Sequence, residues 1–98
     1  MIPRRVLNAS TDRRIQNGIQ LDKLATDTMK DLNLKGFRST KVRHTDRKIA
    51  IDKYADKVNL KEYAIHHCFN GIVKLVPMDV HKHTNHYGYF YRLNYQKV

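Results

Sequence analysis

Two runs of strand formers on either side of Asn70-Gly71 constrain the folding of this chain more than any other feature. Residues 62–69 read Glu-Tyr-Ala-Ile-His-His-Cys-Phe, and residues 72–76 read Ile-Val-Lys-Leu-Val. The Asn-Gly dipeptide between them suits both left-handed positions of a tight type I′ turn, so the segment predicts a β-hairpin. Pro77 follows at once. Its missing N–H and preset φ suit the first position of a helix, predicted over 77–85.

Upstream of the hairpin, Leu21, Leu24, Ala25, Thr28 and Leu32 recur at helical spacing. They predict a first helix from Leu21, with Lys35-Gly36 as its stop. After the basic stretch 38–44, Thr45 or Asp46 is the expected cap of a second helix. Ile51, Tyr54, Ala55 and Val58 share one face of it, and Asn59 is its stop. Residues 1–20 mix Pro3, turn formers and paired arginines without sustained periodicity, and read as an irregular basic arm whose Arg4, Arg5, Arg13 and Arg14 could meet phosphates. The tail 87–95 carries four tyrosines. It reads as a last strand in preference to a base-stacking surface. The expected class is α+β, a small single domain over 21–98 with N-terminal helices and a C-terminal ββα hook.

Charge narrows the partners. Lys and Arg number 19 against 9 Asp and Glu, a net charge of +10. The basic residues are spread from Arg4 to Lys97 and are not gathered on one amphipathic helix, which favours a phosphate backbone over a membrane surface. The sequence also lacks the run of about 18 apolar residues a transmembrane helix needs, and an apolar signal-peptide core. The single cysteine, Cys68, excludes an internal disulfide framework and a multi-cysteine zinc site. Any metal site must be built from His, Asp or Asn.

Histidine supplies most of that chemistry. Five of the six histidines fall in the 21 residues from His66 to His86. Imidazole is both the commonest neutral nitrogen ligand and a general base with a pKa near neutrality. Their order is as informative as their number. A His-His pair, the turn, a second strand, a helix from Pro77 and then His81 and His86 would bring distant positions together between a hairpin and a helix.

With these residues in view, the segment IHHCFNGIVKLVPMDVHKHTNHYG resembles the HNH/endonuclease VII (ββα-metal, His-Me finger) superfamily, in particular the Leu-His-His toxin domains of bacterial polymorphic toxins. The matching residues are His66, His67, Gly71, Leu75, Val76, Pro77, His81, His86 and Gly88, and the region before them, with Arg47 and the second helix, is loosely similar. The resemblance implies a metal-dependent endonuclease in which His67 is the general base and His66, His81 and His86 hold one divalent metal ion, Zn, Ni, Mg or Mn. It departs from the family pattern at three points. Lys74 stands where a polar amide is usual, Tyr89 replaces a second glycine, and the middle Asn of the motif is missing. Lys74 is then read as a catalytic neutraliser of phosphate, and Lys82, Arg92 and Arg47 as nucleic-acid contacts.

Neighbouring residues of a regular strand face opposite sides, so His66 and His67 reach one site only where the strand bends or ends. Which of the two is the base stays open at this level. His83 is expected to face solvent. DNA is the favoured substrate; an RNase of the same fold and a non-catalytic, zinc-stabilised nucleic-acid-binding domain are the alternatives. The resemblance further implies a C-terminal piece of a larger secreted toxin that acts in the target-cell cytoplasm and is neutralised by an acidic immunity protein.

Overall fold

The computed structural model describes residues 13–96. They form an α+β unit of α1 (Arg13–Asp31), β1 (Phe37–Arg38), α2 (Arg43–Tyr54), β2 (Tyr63–His67), β3 (Ile72–Pro77), α3 (Met78–Lys82) and α4 (Tyr89–Gln96). The three strands make one antiparallel sheet in the order β1-β3-β2.

Helix α1 begins two turns before the expected Leu21. Ile15 and Gly18 extend the buried stripe of Leu21, Ala25, Thr28 and Met29 at the same three- or four-residue step, so the region read as an arm is helical from Arg13. Arg4 and Arg5 lie outside the described residues. The helix also stops earlier than Gly36. Asn33 takes a left-handed φ of 55°, its N–H bonds the Lys30 carbonyl, and the Leu34 N–H reaches back to Met29. These two bonds make a Schellman cap. Leu34 and Met29 complete it by packing in one apolar cluster.

In α2 the expected cap is absent, because the helix starts after an extended Val42 that offers no side-chain bond. Asp46 turns inward instead, and the buried stripe is Asp46, Ala50 and Tyr54. Of the expected face, Tyr54 is buried and Val58 packs against the same cluster. Ile51 is 40% exposed. The helix ends at Tyr54, before Asn59. Its orientation follows Asp46, whose carboxylate finds hydrogen-bond donors inside the fold.

The hairpin forms with a different turn. The ladder runs from Tyr63↔Pro77 to His67↔Val73, and the Cys68 N–H then bonds the Ile72 carbonyl while the Gly71 N–H bonds Cys68. Gly71 has φ 89°, whereas Asn70 is not left-handed. A type I′ turn requires both. The connection is therefore a three-residue loop ending in a left-handed glycine, and the Asn70 side chain accepts the Ile72 N–H.

Pro77 closes β3 and caps α3, which ends at Lys82, short of the expected Asn85. The tyrosine-rich tail is a helix, α4, and not a strand. Strand propensity of aromatic residues depends on the surface they meet. Here Tyr89 lies over Gly71 of the hairpin loop, and Arg92 donates to the Phe69 carbonyl.

The sheet buries both faces. Ala64 and Val76 pack with Ala25 and Cys68 on one side; Leu75 packs with Met29, Ala50 and Tyr54 on the other. Alternation along β2 sends His66 to the first face and His67 to the second.

Candidate metal centre and its neighbouring histidine

His66 is 1% exposed. Its Nε2 lies 2.7 Å from the Asp22 carboxylate on α1, and the other Asp22 oxygen accepts the Phe69 N–H at 3.0 Å. A buried imidazole bonded to an acceptor-only carboxylate carries its hydrogen on Nε2. The opposite nitrogen, Nδ1, is buried without a hydrogen-bond partner.

Two further rings complete the group. His81 sits on α3, and His86 follows the helix, beyond its end as its five-residue offset requires. Ring centroids are 5.6 Å apart for His66 and His81, 5.3 Å for His66 and His86, and 4.9 Å for His81 and His86. One ligand nitrogen from each of the three lies within 4.8 Å of the others. The His86 Nδ1 donates to the Thr84 carbonyl at 2.8 Å, which leaves Nε2 as its lone-pair nitrogen. Burial, reinforced by the charges of His86, His66 and His67, pushes His81 down to about 4. At neutral pH its ring is uncharged, the form able to ligate a metal.

Asp22, His66 and Cys68 also lie close enough to hold an ion. The thiolate is the ligating form, yet burial, with the Asp22 charge adding to it and Lys74 opposing, pushes the Cys68 thiol up to about 12. Asp22 is already engaged with His66 and Phe69. This second group is a hydrogen-bonded support for the first.

His67 is the last residue of β2, so it reaches the same cavity as His66 from the other sheet face. The cavity, about 400 Å³, is lined by His66, His67, His81, His86, Arg43 and Phe90 among others. The His67 Nε2 lies 2.9 Å from the Asp46 carboxylate, and its ring packs edge-on to Phe90 at 4.8 Å. Burial lowers the His67 pKa; the Asp46 hydrogen bond and charge oppose the shift, and Arg43 and His66 add to it. Asp46 itself is fully buried. Burial alone would raise its pKa, but hydrogen bonds from Ser39, Thr40 and His67 outweigh it and hold the carboxyl below its ordinary value.

The remaining candidates are dispersed. Lys74 pairs with His66 across the ladder and points its ammonium at Thr26 of α1, 3.0 Å away; it does not line the histidine cavity. Arg92 is a strut to the Phe69 carbonyl. Arg47 lines a second cavity of about 370 Å³ with Arg43, His44 and His67. Lys82 and His83 are exposed at the end of α3.

Asp22 and Asp46 escape a sequence reading of the site. The available signal was a charged residue on an apolar stripe: Asp46 precedes Ala50 and Tyr54 at i, i+4 and i+8. Compared with family models, curated proteins and solved structures, the chain finds no match.

Proposed function

We propose that this chain is a metal-dependent endonuclease of the HNH/endonuclease VII type that hydrolyses DNA phosphodiesters with little sequence specificity. One observation carries the reading. Buried His66, whose Nδ1 has no hydrogen-bond partner, lies with His81 and His86 so that one ligand nitrogen of each is within 4.8 Å of the others, in a cavity that a fourth imidazole, His67, also lines. The arrangement fits a metal. Carboxylate–histidine pairs such as Asp22–His66 recur behind metal ligands, where they set the tautomer and raise ligand basicity.

His66, His81 and His86 would hold one divalent ion, and three protein ligands leave a position open to substrate. An all-imidazole set suits Zn or Ni better than Mg or Mn. When bound, the metal supplies positive charge against the charge that grows on the phosphate and the leaving oxygen. His67 takes a proton from water as the water oxygen bonds to phosphorus and the bond to the leaving oxygen breaks. Arg43, Arg47 and Lys82 hold the phosphate backbone without reading bases. With a net charge of +10, the chain also suits neutralisation by an acidic immunity protein, in keeping with a delivered toxin domain that acts in the target-cell cytoplasm.

The test is digestion of supercoiled plasmid and of total RNA with each metal in turn. Plasmid nicking that a chelator stops, with RNA left largely intact, is the expected result, and His67→Ala should lose at least about 100-fold in rate. Full cleavage by His67→Ala overturns the assignment of the base. Tight metal binding without cleavage of either nucleic acid supports a zinc-stabilised binding domain instead.

A further inference from the structure

We infer that Asp46 is the positioning residue of the site: its carboxylate holds His67 with the ring proton on Nε2, leaving Nδ1 to accept the proton of the attacking water. The inference rests on the nuclease reading for its catalytic meaning and on hydrogen-bond geometry for everything else.

The geometry begins with a buried charge. Asp46 has no solvent exposure, so its carboxylate depends on protein donors. Thr40 supplies two, its backbone N–H at 2.7 Å and its hydroxyl at 2.6 Å, both to Oδ1. Ser39 supplies a hydroxyl to Oδ2 at 2.5 Å. The Ser39 oxygen itself accepts the Lys41 N–H at 3.0 Å, so its own hydrogen is directed to Asp46. These donors are arranged for an ionised carboxylate, which can only accept. The remaining contact, His67 Nε2 at 2.9 Å, must then donate, and a neutral imidazole that donates from Nε2 keeps its lone pair on Nδ1. Nδ1 makes no hydrogen bond among the described residues, and the ring lines the candidate cavity.

The clamp is built by a short loop between β1 and α2. Lys41 within it takes a positive φ of 72°, a left-handed conformation that is unfavourable for a residue with a Cβ. Bonds of the loop to Asp46 and the Ser39 N–H bond to the Gly71 carbonyl hold it there. The segment that resembles the HNH pattern lacks its middle Asn. Asp46 comes instead from an upstream helix, 21 residues before His67 in sequence.

A purely structural carboxylate would tie the loop to α2 and leave the ring chemistry alone. Nitrogen-15 shifts of the His67 ring in the metal-free protein at neutral pH separate the two roles. The wild type is expected in a single neutral tautomer with the proton on Nε2. Asp46→Asn, whose amide offers either an oxygen or an NH₂, is expected to show both tautomers, with kcat lower by roughly 10- to 100-fold and KM within about twofold. Ser39→Ala removes one clamp bond but keeps the carboxylate. It is expected to lower the melting temperature while preserving the tautomer.

A wild-type ring protonated on Nδ1 overturns the inference, and this measurement stands even where Asp46→Asn fails to fold. Asp46→Asn that is merely less stable, with tautomer and kcat intact, also overturns it. An Nε2–H ring in a protein that cleaves neither DNA nor RNA overturns the nuclease reading and the catalytic role of Asp46 together, so the two failures are distinguishable.

Discussion

Two adjacent imidazoles acquire different chemistry because each meets a different carboxylate. His66 bonds Asp22 on α1, and His67 bonds Asp46 on α2. Both rings line the shared cavity, and among the described residues it is His66 that has companions, His81 and His86, close enough to share an ion. Asp22 should therefore matter to metal affinity. Asp22→Asn is expected to weaken Zn or Ni binding by roughly 10- to 100-fold, read by competition with a chromophoric chelator, with the His67 tautomer unaltered. Unchanged affinity would remove Asp22 from the site. Lys74 illustrates the opposite lesson. Its position in the motif suggested phosphate, but pairing in register with His66 commits it to the α1 face and to Thr26.

At the scale of elements, α1 places the last histidine of the candidate site without contributing a candidate ligand from that group. The Tyr87 N–H bonds the Arg14 carbonyl, and the Asn17 side chain donates to the Asn85 carbonyl at 3.0 Å. His86 is carried between these two anchors. Gly18 permits the approach, since a Cβ there would fall 2.2 Å from the Tyr87 carbonyl oxygen. Alanine in an exposed helix gains about 1 kcal/mol over glycine. At this position the steric conflict reverses the sign. Gly18→Ala is expected to destabilise the protein by about 1–3 kcal/mol in urea denaturation and to weaken metal binding through displacement of His86. A stabilised Gly18→Ala would show that α1 and the 85–87 segment are not in close contact.

For the whole molecule, the candidate ligands bridge separate parts of a small fold. His66 comes from the edge strand β2, His81 from α3 and His86 from the segment anchored to α1. An ion held by all three would favour the folded chain, because the unfolded chain does not present them together. Metal at a free concentration 100 times Kd is expected to add about 2.7 kcal/mol of stability, read as a rise in melting temperature that a chelator reverses. A melting temperature indifferent to Zn and Ni would argue against a site that joins these elements.

Local sequence alone determined the hairpin, the strand end at Pro77, two amphipathic helices and the clustering of histidines. Each follows from interactions within a few residues: turn chemistry, side-chain periodicity, or the missing proline N–H. Where reading failed, longer-range contacts overrode local preference. The tail has strand-forming tyrosines, but docking of Tyr89 and Arg92 on the hairpin loop makes it helical. Asp46 has the composition of a helix cap, but a buried clamp and His67 draw it inward. The first helix starts early because Gly18 faces a segment nearly 70 residues away, with the Asn17–Asn85 bond spanning 68. The same reason divides the site. Its imidazoles were visible in sequence order, whereas the carboxylates that orient them come from two upstream helices, and only tertiary packing decides which acid meets which ring.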